Sequence, residues 1–96
     1  MATYIWVGNF TEQGMRTIKD TTKRADAVKT AAKKFGVTLK DMYWTMGQYD
    51  IVGTFDAKDD ASMSSFALSV AMAGNIRGQT MRAYNREEMS AVLGKI

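Results

Sequence analysis

Cysteine, histidine and proline are absent from this chain. The lack of cysteine excludes disulfides, thiolate nucleophiles and cysteine metal sites. The lack of histidine removes the commonest transition-metal ligand and the commonest general base at neutral pH. The lack of proline means that no turn has its φ fixed in advance, so glycine and Asx side chains must form the connections.

The metal chemistry that stays open depends on carboxylates or methionines. The acidic pair Asp59-Asp60 precedes a predicted helix, where it fits a helix cap better than a magnesium or calcium site. The eight methionines recur at helical and strand spacing, which is typical of core packing rather than of copper binding. We therefore predict no metal site and no cofactor.

Long apolar runs are also missing, and the opening Met-Ala-Thr-Tyr-Ile-Trp lacks the charged lead and long apolar segment of a secretory signal. We expect a cytoplasmic protein with no membrane partner. The net charge is +3, but the basic residues concentrate around one predicted helix, as on a solvated helix face. A short aromatic-basic RNA-binding signature is missing too, so we predict no nucleic-acid partner.

The chain reads as one domain over residues 1–96, with 46% hydrophobic and 24% charged residues. Hydrophobic periodicity predicts the order βαββαβ followed by a C-terminal helix. The predicted elements are strand Thr3 to Phe10, helix Thr21 to Phe35, strands Leu39 to Met46 and Ile51 to Phe55, helix Asp60 to Ala73, strand Ile76 to Tyr84, and a last helix opened by Asn85.

Helix ends have recognisable signals. Thr21 or Thr22 is predicted to cap the first helix and Gly36 to end it. Asp59 is predicted to cap the second helix, with Gly74 as its terminator. Asn85-Arg86-Glu87-Glu88 has the spacing of a capping box at the start of the last helix, whose apolar stripe is Met89, Val92, Leu93 and Ile96.

A four-stranded sheet with two helices on one face leaves its other face bare, and the strand alternation predicts apolar groups on both faces. In the first strand Ile5 and Val7 point one way and Trp6 and Phe10 the other. The bare face would exceed the apolar patch that monomers usually expose. The C-terminal helix can shield a part of it, and a second copy of the sheet is the economical cover. We therefore expect a homodimer or a multiple of one.

The turn Gly47-Gln48-Tyr49-Asp50 joins the two middle strands and belongs to a set of short motifs spread over nearly the whole chain. The others are Thr11-Glu12-Gln13-Gly14, Ile18-Lys19-Asp20-Thr21 with Arg24, Tyr43-Trp44-Thr45-Met46-Gly47, Gly74-Asn75-Ile76-Arg77 and Thr80-Met81-Arg82-Ala83-Tyr84. In their order and spacing they resemble the GYD domain family. That resemblance implies an α+β, ferredoxin-like fold with an antiparallel sheet, of the dimeric α/β barrel kind, and a biochemical role that is undefined.

The candidate ligand-binding residues converge on this turn and on the start of the first helix. Arg82 and Lys19 are predicted to form an anion-binding locus, with Asp50 as the partner of Arg82. Tyr49 and Trp44 supply flat walls, Arg24 lies at a loop-to-helix junction, and Asn9 is a hydrogen-bonding rim residue. The alternatives are a structural salt bridge between Asp50 and Arg82 and ordinary turn chemistry for Asn9 and Tyr49. Lys19 and Arg24 equally fit a solvent-exposed surface, and Trp6 and Trp44 fit core packing or a dimer contact. The residues are Asn9, Lys19, Arg24, Trp44, Tyr49, Asp50 and Arg82.

Three functions fit these residues. The first is a small-molecule-binding homo-oligomer whose pocket lies between the sheet and the helix or loop elements near Tyr49 and Asp50 and takes an anionic or aromatic metabolite. The second is a cofactor-independent oxygenase or isomerase in which Tyr49 and Asp50 transfer protons on an aromatic or carbonyl compound, by analogy with related barrels. The third is a structural protein that self-associates through its sheet and last helix. The sequence does not identify the ligand or pathway.

Overall fold

A computed structural model describes residues 1–96, in which four strands and four α-helices follow one another. A single 3₁₀ turn at Ile18–Asp20 leads into the second helix. The elements are β1 Ala2–Phe10, α1 Glu12–Arg16, α2 Thr21–Lys34, β2 Val37–Trp44, β3 Ile51–Ala57, α3 Asp60–Met72, β4 Ile76–Ala83 and α4 Arg86–Leu93. No helix is both long enough and apolar enough to cross a membrane.

The strands form one antiparallel sheet in the order β2-β3-β1-β4. Helices α2 and α3 each connect two strands, and both lie on the same face of the sheet, which we call the covered face. This order confirms the predicted α+β, ferredoxin-like arrangement. The opposite face carries no helix layer and is called the open face.

The core lies between the covered face and the two helices. Tyr4 and Phe55 of the sheet pack against Met63 and Phe66 of α3, and the Phe55 and Phe66 rings are 5.6 Å apart at their centroids. Burying each side chain of this size stabilises the fold by about 1.5–3 kcal/mol. Val37, at the start of β2, is 1% exposed and closes the core on the β2 side.

The helix ends follow their predicted signals in two helices out of three. The Asp59 carboxylate accepts a hydrogen bond from the Ser62 amide at 2.8 Å, and Asn85 forms the capping box with Glu88. The prediction that Thr21 or Thr22 caps α2 was wrong. Asp20 is the N-cap residue, and its side chain makes no capping hydrogen bond, because the 3₁₀ turn Ile18–Asp20 leads directly into the helix.

Two features of the chain were not predicted. Helix α1 spans only five residues, too few for an apolar period, and its start is fixed by Thr11, whose hydroxyl accepts from the Gly14 amide at 3.1 Å. Strand β2 begins at Val37 and ends at Trp44, earlier than predicted at both ends, and a bulge between Leu39 and Asp41 shifts its register against β3. Such a bulge breaks the alternation on which the strand prediction depended.

Helix α4 leaves its apolar stripe in solvent. Met89, Val92 and Leu93 are 44%, 41% and 53% exposed, and no residue of α4 is buried. The expectation that this helix shields part of the sheet is therefore not met in a single chain. The molecule is elongated, with principal extents of 49 × 31 × 17 Å.

The exposed surface of one chain is large for its mass. It measures 6699 Å² at 10.7 kDa, whereas a folded monomer of this mass exposes about 5,500 Å². The excess of roughly 1,200 Å² comes with a bare sheet face and a bare helix stripe, and it is more than the ~800 Å² per partner of a standard protein interface.

Candidate functional site

An apolar chamber lies between the covered face and helices α2 and α3. Its volume is about 360 Å³, and 15 of its 20 lining residues are hydrophobic. The sheet contributes Trp6, Phe10 and Ile76, while α3 contributes Phe66 and Ala67 among others. A space of this size and lining is in the range of small-molecule pockets.

One wall of the chamber depends on two glycines. Gly8 of β1 and Gly78 of β4 face each other across the sheet, and the indole of Trp6 lies flat over both of them. A Cβ added at Gly78 would be 2.0 Å from the Trp6 ring, and one at Gly8 would be 2.1 Å from it. Because glycine has no side chain, the Trp6 ring can lie against the backbone at both positions.

Most polar side chains of the chamber are already hydrogen-bonded. The Trp44 indole Nε1 donates to the Thr21 hydroxyl at 3.0 Å. The Arg24 guanidinium donates to the Thr17 carbonyl at 2.9 Å, to the Thr17 hydroxyl at 2.7 Å and to the Gly14 carbonyl at 3.1 Å. Arg24 thus connects α2 to α1 and to Thr17, and these three hydrogen bonds engage most of its five guanidinium N–H groups.

A second, polar cleft lies on the open face at the end of the same two strands. Its volume is about 520 Å³, and only three of its ten lining residues are hydrophobic. Asn9 of β1 and Arg77 and Gln79 of β4 project into it, and Tyr49 and Glu12 extend it beyond the strand ends.

Asp50 lies between the two cavities and secures the β2–β3 turn to β1. Its carboxylate accepts from the Phe10 amide at 3.1 Å, and its own amide lies 2.9 Å from the Gly8 carbonyl and 3.1 Å from the Asn9 side-chain oxygen. The Asp50 carbonyl accepts from the Thr45 amide at 2.8 Å. These bonds assign Asp50 an anchoring role in the fold.

The predicted pair between Asp50 and Arg82 was wrong. Arg82 lies opposite Tyr4, whereas Asp50 binds β1 beyond Gly8, so the two side chains are separated by at least four residues of strand, or about 13 Å. Arg82 instead pairs with Glu88 of α4 at 3.1 Å.

Arg82 connects the sheet to α4 through two kinds of contact. Its guanidinium lies 4.9 Å from the Tyr84 ring centroid and 5.7 Å from that of Tyr4, within cation–π range. The pKa of Glu88 is lowered, first by the hydrogen bond from the Asn85 amide and then by that from Arg82. The hydrogen bond to Glu88 in turn raises the pKa of Arg82.

Tyr4 has the one large pKa shift in the chain. Its ring is 3% exposed, and its hydroxyl donates to the Asp60 carboxylate at 2.5 Å at the start of α3. That hydrogen bond, followed by burial and by the negative charge of Asp60, raises the pKa of Tyr4 to about 12. The pair joins the centre of β1 to α3 and lines neither cavity.

The GYD domain matches residues 4–93, which is nearly the whole chain and includes every element that builds the two cavities. The chain belongs to the GYD domain family. The resemblance inferred from the motifs around Tyr49 and Asp50 is thereby confirmed. No curated protein matches the chain.

Two solved structures share the fold of this GYD domain. MtbAldR aligns with a TM-score of 0.68 at 14% identity over 88% of this chain, and the chain spans about half of that protein, 52%. TTHA0845 from Thermus thermophilus aligns with a TM-score of 0.55 at 20% identity, over 90% of this chain and 100% of its own. At these identities the likeness concerns the fold alone.

The seven predicted site residues fall into separate places in this GYD domain. Arg24 and Trp44 line the chamber, and Asn9 and Tyr49 line the cleft. Lys19 lies on the exposed 3₁₀ turn and, like Arg82, lines neither cavity. The structure therefore does not bring them together into one site.

Two lining residues that matter were not singled out as ligand-binding from the sequence. Trp6 was assigned to packing, and Arg77 was noted only as part of a motif. The signal that could have found them is the alternation of β1 and β4, which separates Trp6 from Asn9 and Arg77 from Gly78 onto opposite faces. No group of three or more carboxylates is placed to hold a metal ion.

Proposed function

We propose that this GYD domain is a homo-oligomer, a dimer or a multiple of one, that binds a small and mostly apolar metabolite in the chamber between its sheet and helices. The observation that carries the proposal is the chamber itself, about 360 Å³ with 15 hydrophobic residues among 20. A concave, mostly apolar space of this size is in the range of small-molecule pockets, which supports a binding role.

The lining decides the class of ligand. Trp6 and Phe10 offer aromatic walls, and the hydroxyls of Ser64 and Thr80 are the polar groups that stay without a protein partner. A flat aromatic or short aliphatic compound with one hydroxyl or carbonyl group matches that set. An anionic compound matches it less well, because Arg24 already donates to Thr17 and Gly14.

Binding is favoured over catalysis by what the chamber contains. Its only charged lining residue is Arg24, and no carboxylate, lysine or tyrosine lines it. Tyr49 and Asp50, the candidate proton-transfer residues, lie outside it, and Asp50 is engaged by the backbone of β1. General acid–base catalysis needs a titratable group within hydrogen-bonding reach of the substrate.

Self-association is supported by surface area. The excess of roughly 1,200 Å² over a compact monomer coincides with an open sheet face that includes Ile5, Val52 and Met81 and with the α4 stripe. A second copy placed over the open face would bury these groups and complete the barrel typical of the dimeric α/β arrangement. The largest apolar surfaces of the chain would then be in contact with protein rather than water.

The experiment that tests the chamber uses tryptophan emission and thermal unfolding of the full chain with naphthalene, benzyl alcohol and hexanol as probes. Both tryptophans, Trp6 and Trp44, line the chamber. A probe that enters should shift the emission and raise Tm, because binding to the folded state alone stabilises it.

The matched variants lie on one helix. Ala67→Phe fills the chamber and should abolish both responses, whereas Ala61→Phe, on the exposed surface of α3 outside the chamber, should leave them unchanged. Equal responses in the two variants, or no response of the unmodified protein to any probe, would contradict the proposal.

A further inference from the structure

We propose that the polar cleft on the open face is a second ligand site, independent of the chamber, that binds a small carboxylate or phosphate anion with Arg77 as its counter-charge. The cleft has a volume of about 520 Å³ at the shared end of β1 and β4. Phe10 and Gly78 line both cavities, whereas the side chains of Asn9, Arg77 and Gln79 line the cleft alone. The cleft lies on the face that the proposed second copy would cover, so in the dimer it becomes one end of the space between the two sheets, and the proposal requires that end to admit a small anion.

Arg77 is the cation of this site, and it has no ion-pair partner within one chain. The three ion pairs of the chain are Arg16 with Glu12, Lys40 with Asp56 and Arg82 with Glu88. Arg77 takes part in none of them, and its side chain makes no hydrogen bond to the protein. A guanidinium that lines a concave surface without a carboxylate partner is suited to a bidentate oxyanion.

The neighbouring polar groups also present donors. The Asn9 side-chain oxygen accepts from the Asp50 amide at 3.1 Å. That bond fixes the amide orientation, so the Asn9 Nδ2 group, which has two hydrogens and no protein partner, is the free end. The Tyr49 hydroxyl and the Gln79 side chain make no hydrogen bond to the protein either. Four donor groups thus line one cleft.

The one carboxylate at the rim does not cancel this charge. Glu12 lines the cleft, and one of its oxygens pairs with Arg16 at 2.7 Å. Its charge is therefore shared with a second arginine, and the set Glu12, Arg16 and Arg77 stays net positive by one. A cation would find a positive site with few free acceptors, whereas an anion finds the complementary arrangement.

The test is a titration of the full-length protein followed by two-dimensional amide NMR, with propionate, benzoate and inorganic phosphate as separate probes. Saturable shifts at the amides of Asn9, Gly78 and Gln79 are expected with at least one probe. Propionate or benzoate alone would identify a carboxylate site, and phosphate alone a phosphate site. No saturable shift at these amides with any of the three would overturn the proposal.

Two arginine variants with the same loss of charge supply the control. Arg77→Gln should weaken binding about tenfold or more, since a charged hydrogen-bonded pair is lost. Arg86→Gln, on α4 and outside the cleft, should leave the affinity unchanged. An equal loss in both variants would show attraction by net charge alone and would reject the site. Unchanged Tm in both variants establishes that the fold is intact.

The two sites can fail separately. If the protein binds naphthalene but no anion, the chamber proposal stands and the cleft proposal fails. If it binds an anion but not naphthalene, the cleft proposal stands and the chamber proposal fails. Ala67→Phe, which fills the chamber, should leave anion affinity unchanged because Ala67 does not line the cleft.

Discussion

The two faces of the β1–β4 pair differ in chemistry although they share one backbone. On the covered face Trp6, Phe10 and Ile76 line an apolar chamber, while on the open face Asn9 and Arg77 line a polar cleft. Successive side chains of a strand point to opposite faces, so each side chain within the strands projects from only one of the two faces. The difference shows that one pair of strands can place an apolar cavity and a polar cavity on opposite faces of a single sheet.

The two faces also differ in whether other parts of the same chain cover them. The covered face is completed within one chain, where Phe55 and Phe66 are 4% and 2% exposed. The open face is not completed, and Tyr43 on it is 62% exposed. Changes on the covered face should therefore affect the stability of a single chain, and changes on the open face should affect assembly.

The largest effect is expected from Val52→Lys on the open face. Val52 lies beside Val7 in the middle of the sheet, and a lysine there would place an unpaired charge inside the proposed interface. The dissociation constant of the dimer should rise by about a hundredfold or more, ~2.7 kcal/mol. Sedimentation equilibrium measures it. Thr30→Lys on the exposed side of α2 is the control, and a monomeric unmodified protein would remove the basis of this prediction.

Next in size is Gly78→Ala on the covered face. The new Cβ would be 2.0 Å from the Trp6 ring, so the ring must move into the chamber. Overpacking of this kind costs about 1–3 kcal/mol of unfolding free energy. Urea unfolding followed by tryptophan emission measures both effects. Gly94→Ala, whose Cβ would meet nothing closer than 3.4 Å, should change the stability little. Equal stability of the two variants would contradict the described packing of Trp6.

Asp50→Ala tests the junction between the faces. It removes the acceptor of the Phe10 amide and loosens the β2–β3 turn, at a cost of about 1–2 kcal/mol. Asp50→Asn should cost less, because its amide oxygen can still accept. Thermal unfolding distinguishes them from Asp26→Ala on the exposed surface of α2. If Asp50→Ala were as stable as Asp26→Ala, the anchoring role would be wrong.

The last prediction applies only at alkaline pH. Because the pKa of Tyr4 is raised from 10.0 to about 12 in the folded protein, the folded state holds this proton more tightly than the unfolded chain. The stabilisation is complete below pH 10 and is lost as the pH rises towards 12. Unfolding free energies measured across that range should fall less steeply in Tyr4→Phe. Tyr43→Phe, on an exposed side chain, should follow the unmodified protein; identical slopes for all three would refute the assignment.

Much of the fold was predictable because its signals are local. The alternation of β1, the caps at Asp59 and Asn85, and the glycines that end α2 and α3 each act within a few residues. Gly36 and Gly74 adopt φ values of 71° and 83°, which other residues rarely reach. The family motifs added the strand order, which local signals do not determine.

The site was less predictable because it depends on register. Alternation along β4 determines the face on which Arg82 lies, but it does not tell which residue of β1 lies opposite. The pairing of Arg82 with Tyr4 moves it to the far end of the sheet from Asp50. The chamber was predicted only in part, through its place beside the sheet and through Arg24 and Trp44. Its other lining residues were not predicted, because a gap between packed layers is a property of three dimensions and leaves no pattern in the chain.

The bulge in β2 has a consequence for how copies of this protein can meet. It lies on an edge strand, and the adjoining Lys40 forms a bridge to Asp56 at 3.4 Å. A kinked edge that carries a lysine is a poor template for adding another strand. Addition of a strand at the β2 edge is thereby discouraged, so the self-association that we propose would use the open face rather than this edge.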